Sequence, residues 1–373
     1  MTHNPMIRRR TLIGGAALLV SGHGTGAVPT GGPLRLVAGT YDAEGGGGLY
    51  PVTLGPADRW SVGTPDPAVR NASFGVRSAR FGTRYFLNEG PNGQLGAWRT
   101  GSGRMPIGSV TTGGADPCHA ALDPAQTCLA VANYSSGSVA FYRLDPRTGA
   151  PIAPPLIRAN RGHGPNPARQ QGPHAHWVGF SPDRRWLHSV DLGTDAVLSY
   201  PFDSRGRTIG PPDVAYQAPA GSGPRHLAFH PHRPRAYLVS ELGNSLTVLE
   251  PAGAGRFRAV QTLSTLPPGF HGDSSAAHLA LNRAGTRLYV SNRGHDSVGV
   301  FAIDAAGGLA RIQHVATGGS WPRFFLLCEA EARLVVANER AGTLVPFALA
   351  ADGRLTRTGA FASVPGVVFL DRA

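Results

Sequence analysis

The feature that most constrains this chain is an internal repeat. An apolar run that ends in a polar residue, a short turn and a second alternating run recur from about residue 85 to the C-terminus. The polar residues are Asn88, Asn133, Asp191, Ser240, Asn292 and Asn338. The steps between them are 45, 58, 49, 52 and 46 residues, which is the length of one four-stranded β-propeller blade. Residues 36–41 with residues 48–52 supply a seventh unit.

Each unit also has a strand-like segment just upstream, often followed by a Pro-containing turn sequence. The C-terminal residues 364–370 resemble that upstream strand and would serve the first unit. Such pairing removes an exposed sheet edge. We therefore predict an all-β fold: a seven-bladed β-propeller over residues 34–373, closed by pairing of the N- and C-terminal strands. The 51 Gly and 32 Pro residues agree with many turns.

Residues 1–33 differ from the repeats. Arg8, Arg9 and Arg10 precede Thr-Leu-Ile and a weakly apolar, Gly-rich stretch, a pattern typical of a twin-arginine signal peptide. An ordinary basic N-terminus is the alternative. The stretch is too short for a transmembrane helix, and no later segment has 18 apolar residues in a row. We expect a periplasmic or secreted protein without stable membrane insertion after signal cleavage.

The charge balance is basic, with 35 Lys+Arg against 23 Asp+Glu and a net charge of +12. Arginine suits bidentate binding of carboxylate or phosphate, although a solvated basic surface is the simpler alternative. Lys/Arg runs beyond residues 8–10 and aromatic-basic interleaving are both missing, so we do not predict nucleic-acid binding. Cys118, Cys128 and Cys328 show neither metal spacing nor an even framework, and no disulfide is expected.

Aligning the upstream strands on their turns places His and Arg in two adjacent columns. The first column is Cys118, His176, Arg225, Ala277 and Arg323, and the second column is His119, Trp177, His226, His278 and Phe324. The residues that follow the repeat's polar positions form a strand-end ring: Glu89, Tyr134, Leu192, Glu241, Arg293 and Glu339. Buried His and Arg side chains near the channel need water, a ligand or one another. The columns therefore predict a small anionic ligand in the channel, with salt bridges as the alternative role for Glu241 and Glu339.

A metal site is the alternative for the histidines. His174 and His176 are an i, i+2 pair on one strand face, and His226 and His278 could lie nearby. Zinc sites require three or four convergent ligands held in place by further hydrogen bonds. The sequence fixes no such set, and a GxSxG nucleophile motif is also missing. We therefore predict no metal site.

Ordered motifs from about residue 34 onward resemble those of the seven-bladed lactonases, a family that includes bacterial 6-phosphogluconolactonase and fungal carboxymuconate cyclase. The motifs span residues 113–119, 131–139, 169–176, 181–183, 191–195, 221–231, 291–298 and 319–323. The resemblance implies lactone hydrolysis without metal or cofactor. It implies a site built from His174 and His176, Arg225 and His226, Glu241, and Arg293.

In that site Arg225 and Arg293 would clamp the substrate's carboxylate or phosphate and stabilise an oxyanion. His176 or Glu241 would be the general base. The catalytic candidates are therefore His176, Glu241, Arg225 and Arg293. The substrate-binding candidates are His174, His226, His278, Arg323, His119 and Arg169.

Two positions depart from the family. Acidic residues usual there are replaced by His278 and Phe324, which leaves Glu241 as the main acidic candidate. An exported enzyme would not meet cytoplasmic 6-phosphogluconolactone, so a periplasmic sugar lactone fits better. A cycloisomerase acting on a carboxylated muconate and a non-catalytic propeller that binds a ligand or partner are the alternatives.

Overall fold

The computed structural model describes residues 32–100 and 104–373. These residues fold into seven antiparallel sheets, and their helices are three short 3-10 turns: Asp42–Glu44, Pro56–Asp58 and Glu329–Glu331. None of the helices in this part of the chain is long and apolar enough to cross a membrane. The predicted signal peptide lies outside the described residues apart from Gly32 and Pro33.

The first three sheets, blades 1 to 3, follow one another along the chain. Blade 1 begins with β1 (Leu34–Thr40), β2 (Leu49–Leu54) and β3 (Trp60–Val62). Blade 2 contains β4 (Gly75–Ser78), β5 (Thr83–Asn88), β6 (Gln94–Arg99) and β7 (Met105–Thr111). Blade 3 contains β8 (Pro117–Leu122), β9 (Cys128–Asn133), β10 (Ser138–Leu144) and β11 (Pro151–Ala159).

Blades 4 to 7 repeat the plan, with a split outer strand in blades 4 and 7. Blade 4 contains β12 (Ala175–Phe180), β13 (Trp186–Asp191), β14 (Ala196–Asp203), β15 (Thr208–Ile209) and β16 (Asp213–Gln217). Blade 5 contains β17 (Pro224–Phe229), β18 (Ala236–Ser240), β19 (Ser245–Gly253) and β20 (Arg256–Ser264). Blade 6 contains β21 (Ser275–Leu281), β22 (Arg287–Arg293), β23 (Ser297–Ile303) and β24 (Leu309–Ala316). Blade 7 contains β25 (Pro322–Cys328), β26 (Arg333–Asn338), β27 (Thr343–Leu349), β28 (Leu355–Arg357) and β29 (Ala362–Ser363).

The last strand, β30 (Val367–Arg372), returns to blade 1 and becomes its innermost strand. It pairs antiparallel with β1, with Ala38 opposite Leu370 and Val37 opposite Asp371. The predicted seven-bladed propeller and its closure by the two chain ends are therefore confirmed. Closure pairs the inner edge of blade 1, which would otherwise expose unsatisfied backbone groups.

Apolar residues alternate along the strands and fill the space between neighbouring sheets. A tyrosine in the second strand of several blades is fully buried there. The Tyr85, Tyr237 and Tyr289 hydroxyls each donate to the carbonyl of Gly149, Gly307 or Gly353, respectively, one blade further on. The hydroxyl thus meets a partner at the end of an otherwise apolar ring, as a buried tyrosine requires.

The polar residue that marks the repeat ends the second strand of the blade. In blade 3 it is Asn133, whose amide donates to the Thr112 carbonyl at 3.1 Å and to the Ser138 hydroxyl at 3.2 Å. Gly114 lies so close that an added Cβ would be 2.5 Å from the Asn133 amide nitrogen. The repeated polar residue therefore links its blade to the preceding one by hydrogen bonds. It does so at the end of the channel where the candidate site lies.

Candidate active site

A β-bulge in the inner strand of several blades lets two adjacent side chains both point into the channel. Neighbouring strand residues normally point to opposite faces. The pairing register shifts between Pro117 and His119, and equivalent shifts flank His176, Arg225 and Arg323. An inserted residue re-aims its side chain. Each first-column residue in these blades is the inserted one, so both predicted columns meet at the axis.

The second column, joined by Phe74 and Phe369, forms a belt of aromatic rings around the channel. Its members are Phe74, His119, Trp177, His226, His278, Phe324 and Phe369. Neighbouring centroids lie 4.2 Å apart for Phe74 and His119 and for His278 and Phe324. His278 and Phe324, the two positions where the resemblance implies acidic residues, thus stack on each other and contribute packing.

Glu241 lies at the centre of an arginine cluster formed with Arg169, Arg225 and Arg293. Its Oε2 accepts from Arg225 Nε at 3.0 Å and lies 2.8 Å from Arg293 Nη2, while its Oε1 accepts from Arg169 at 2.6 Å. The Glu241 and Arg225 side chains are 3% exposed, whereas that of Arg169 is 40% exposed. Three cations therefore surround one carboxylate, and only Arg169 reaches bulk water.

The cluster has an excess of positive charge. Burial would raise the pKa of Glu241, but Arg293, Arg225, His176 and Arg169 hold it well below its usual value. Burial, followed by repulsion from Arg293, lowers the pKa of Arg225 to about 9. Glu241 is consequently ionised and fully engaged, and one carboxylate does not compensate the buried cations.

His176 borders this cluster as a neutral imidazole. Burial, followed by Arg225, lowers its pKa well below the usual 6.5. Its Nδ1 lies 3.8 Å from Cys118 Sγ, and its Nε2 makes no hydrogen bond within the described residues. Burial raises the pKa of the Cys118 thiol, which is therefore a weak acid here. His176 is thus the unengaged base beside the arginines.

Further histidines line the belt in their neutral form. The pKa of His278 is lowered to about 3 by burial and by Arg225, and burial lowers those of His119 and His226. Arg225 donates to His226 Nε2 at 3.1 Å, and His226 Nδ1 lies 3.4 Å from His278 Nδ1. Within residues 32–100 and 104–373, no three His, Cys, Asp or Glu side chains have metal-binding geometry.

His174 flanks the cluster from the loop before β12. Its ring stacks on Tyr134 with centroids 4.5 Å apart, and the Tyr134 hydroxyl lies 3.4 Å from Arg169 Nη2. The structure thus brings nine of the ten predicted site residues into one region, and their roles stay predictions.

Arg323, the tenth predicted residue, belongs to a second group with Tyr41, Glu89 and Glu339. It donates to the Tyr41 hydroxyl at 2.7 Å and lies 3.8 Å from Glu89 and 4.0 Å from Glu339. Burial raises the pKa of Glu89, an effect that Arg323 opposes. The sequence left Glu241 as the main acidic candidate, but the structure places two more carboxylates, those of Glu89 and Glu339, in the channel.

Aligning the inner strands in the sequence did not identify Tyr41, and the reason is the topology of blade 1. In blades 3 to 7 the strand-end residue follows the first-column residue by sixteen positions, as in Arg225 and Glu241 or Arg323 and Glu339. In blade 1 the inner strand comes from the other end of the chain, so this spacing is broken. Applying the spacing to blade 2 would have added Ser73 opposite Glu89.

A cavity of about 540 Å³ lies at the opposite end of blades 4 and 5, lined by residues that include Trp186, His188, Phe229, Arg233 and Phe257. None of the predicted site residues lines it. This cavity and the candidate chemistry therefore lie at different ends of the propeller, and the chemistry is at the end with the buried charges.

Comparisons with known proteins agree with this architecture. The family model "Lactonase, 7-bladed beta-propeller" matches residues 35–371. A 6-phosphogluconolactonase of Bacillus subtilis is 34% identical over 337 residues, covering 88% of this chain and 95% of the relative.

Two solved structures are similar over most of both chains. The periplasmic gluconolactonase of Pseudomonas aeruginosa is 29% identical with a TM-score of 0.82, covering 91% of this chain and 98% of its own. A putative 6-phosphogluconolactonase of Bacteroides fragilis is 25% identical with a TM-score of 0.82, covering 93% and 100%.

Proposed function

This chain belongs to the family of seven-bladed β-propeller lactonases, and we propose that it hydrolyses a small sugar lactone in its central channel, where arginine side chains bind an anionic substrate group or the oxyanion of the reaction. The observation that carries the proposal is the arginine cluster beside a neutral imidazole. Arg169, Arg225 and Arg293 share the single carboxylate of Glu241, and His176 lies next to them.

The arginine cluster supplies an anion site. Arg225 and Arg293 repel each other in a buried setting, so an incoming negative charge would stabilise both. A carboxylate or phosphate of the substrate meets that need, and so does the oxyanion that forms when water adds to an ester carbonyl. Positioned cations in a water-poor site act strongly on such charge.

His176 is the better general base of the two candidates. Both carboxylate oxygens of Glu241 are held by guanidinium groups, so this residue serves to position the arginines. His176 is neutral, and its Nε2 is unengaged within the described residues, so it can take a proton from water.

The reaction follows from these roles. Water attacks the lactone carbonyl while His176 takes its proton, and the arginines stabilise the tetrahedral oxyanion. When the ring C–O bond breaks, the imidazolium returns the proton to the leaving alkoxide. One lactone and one water give one hydroxy acid, and no cofactor takes part in the steps proposed.

We further propose that the protein acts after export, as a periplasmic or secreted enzyme. The support is the twin-arginine-like sequence at residues 8–13 and the similarity to a periplasmic gluconolactonase. An exported enzyme would meet an unphosphorylated aldonolactone.

The test is hydrolysis of glucono-1,5-lactone, 6-phosphogluconolactone and a carboxymuconate by purified protein. We expect turnover of a sugar lactone, and a loss in kcat of about 10²–10³ in Arg225→Ala. Glu250→Gln, which alters an ion-paired glutamate on the outer part of blade 5, is the matched control.

The other outcomes separate the alternatives. Turnover of the muconate alone would select the cycloisomerase. Binding of these ligands without turnover of any would select a non-catalytic propeller. Equal activity in wild type and in Arg225→Ala would contradict the assigned site.

A further inference from the structure

We propose that Tyr41, Glu89, Arg323 and Glu339 form a subsite that binds the hydroxyl groups of a polyhydroxylated ligand, across the channel from the arginine cluster. The inference deepens the proposed function, because it assigns residues that select sugar lactones over plain ones. It is carried by the spacing of the charged groups in these four side chains.

The propeller contains two equivalent Arg–Glu pairs. One is hydrogen-bonded, and we call it closed; the other is not, and we call it open. Arg225 with Glu241 and Arg323 with Glu339 occupy equivalent positions on blades 5 and 7. The closed pair is joined by a hydrogen bond of 3.0 Å, whereas the open pair is separated by 4.0 Å. Glu89 is likewise 3.8 Å from Arg323, beyond hydrogen-bond distance.

The open group has unused donors and acceptors. Oε2 of Glu89 and Oε2 of Glu339 are both buried without a hydrogen-bond partner within the described residues, and Glu339 is 7% exposed. Arg323 has five N–H donors, of which one meets the Tyr41 hydroxyl. Burying polar groups without hydrogen-bond partners costs free energy. This arrangement therefore favours a ligand that can both accept from Arg323 and donate to the carboxylates.

A hydroxyl is the group that fits. It accepts from Arg323 and donates to a carboxylate at the same time, and an oxygen about 2.8 Å from both bridges the 4.0 Å between Arg323 Nε and the unpartnered Oε2 of Glu339. A second anion would be repelled by Glu89 and Glu339. Water can fill the same place, and the hydroxyls of a sugar ring would displace it.

The two groups border the same end of the channel. Cys118 lies on the blade between them, and burial, Glu89, Arg323 and Arg225 all act on its pKa. The channel is thus polarised, with excess cations on one side and excess carboxylates on the other. A molecule with an ester carbonyl at one end and hydroxyls around the ring matches this polarity.

The experiment compares glucono-1,5-lactone with δ-valerolactone, which has the same ester ring without hydroxyls. We expect Glu339→Gln and Glu89→Gln to raise KM for gluconolactone about tenfold and to change kcat/KM for valerolactone less than about twofold. Tyr41→Phe removes one hydroxyl only and keeps the test informative if a glutamine variant folds poorly. Glu250→Gln should alter neither substrate.

A binding measurement separates this inference from the proposed function. Calorimetry with glucono-1,5-lactam, which does not hydrolyse as the lactone does, should show tight binding in wild type and weak binding in the variants. If that holds while no lactone is turned over, the proposed function fails and the subsite stands. Equal effects on both lactones, no effect on either, or no loss of lactam binding in the variants would overturn the subsite.

Discussion

Among the individual residues of the candidate site, buried positive charges outnumber the negative charge that they surround. Three arginines lie within 3.0 Å of one carboxylate, so Glu241 is a structural counter-ion as well as a channel residue. The two roles considered for it from the sequence, acid–base group and salt-bridge partner, are therefore not equally supported. The contacts favour the salt-bridge role.

Replacing Glu241 should cost more stability than replacing other paired acids. Glu241→Ala leaves Arg225 and Arg293 buried without a counter-ion, and we expect a loss of about 3–5 kcal/mol in the free energy of unfolding. Glu250→Ala, at a more exposed pair, should cost at most about 1 kcal/mol. Denaturant unfolding measures both values.

Added anions should then restore part of the loss. Sulfate or citrate supplies the missing negative charge, so the Tm of Glu241→Ala should rise more with these salts than that of wild type. Equal shifts in both proteins would mean that the arginines do not form an anion site.

The pH dependence of lactone hydrolysis follows from His176 and Arg225. His176 must be neutral to accept a proton, and its pKa is lowered, so the acidic decline in kcat/KM should lie well below pH 6.5. Arg225 must be charged, and its pKa is about 9, so activity should fall again near pH 9. Initial rates corrected for spontaneous ring opening measure the profile.

His176→Asn is the matching control for that profile. Without the imidazole the acidic limb should disappear together with most of the activity, while the alkaline limb persists. An unchanged acidic limb in this variant would assign the base to another group.

At the scale of strands, two local devices shape the site. The bulge at the first column turns an inserted residue toward the axis, and the asparagine at the end of the second strand fastens the neighbouring blade. Both features recur because every blade must pack against its neighbours in the same way. The repeated Asn and Gly residues therefore have a structural role, whereas the residues next to them can differ in charge from blade to blade.

Removing one fastening should lower stability without changing the chemistry. Asn133→Ala loses the hydrogen bonds to Thr112 and Ser138 and leaves a buried carbonyl unpaired, which should cost about 1–3 kcal/mol. Asn92→Ala, in an exposed turn of blade 2, is the matched control. Thermal unfolding and kcat per folded molecule are the measurements, and a loss of kcat would contradict a purely structural role.

At the scale of the whole molecule, ring closure decides what the channel contains. β30 supplies the inner strand of blade 1 and places Phe369 in the aromatic belt, 5.3 Å from both Phe74 and Phe324. It also brings Tyr41 beside Arg323, a contact across 282 positions of sequence. The hydroxyl-binding group is thus a product of closure.

Truncation after Gly366 should open the ring. The variant lacks β30, so blade 1 loses its inner strand and the belt loses Phe369. We expect loss of cooperative unfolding and of lactone hydrolysis, measured by calorimetry and by assay. Deletion of the exposed Ala373 alone is the control, and a truncated protein that unfolds like wild type would show that closure is dispensable.

The seven-bladed architecture could be predicted from the amino-acid sequence alone. Repeat length, strand alternation and turn residues are local properties, and seven copies of one local pattern leave a propeller as the fold that pairs every inner strand. The same alignment found the channel side chains, because repeat symmetry converts equivalent sequence positions into equivalent places around one axis.

The pairing of those side chains could not be predicted from the sequence and is visible only in the folded ring. Arg225 and Glu241 form a closed pair while Arg323 and Glu339, at the same spacing, form an open one, and no local pattern distinguishes them. The difference depends on which neighbours meet at the axis, where Arg169 and Arg293 also contact Glu241, whereas Arg323 donates to Tyr41. Charges interact through space, so their pairing is fixed by the closed ring.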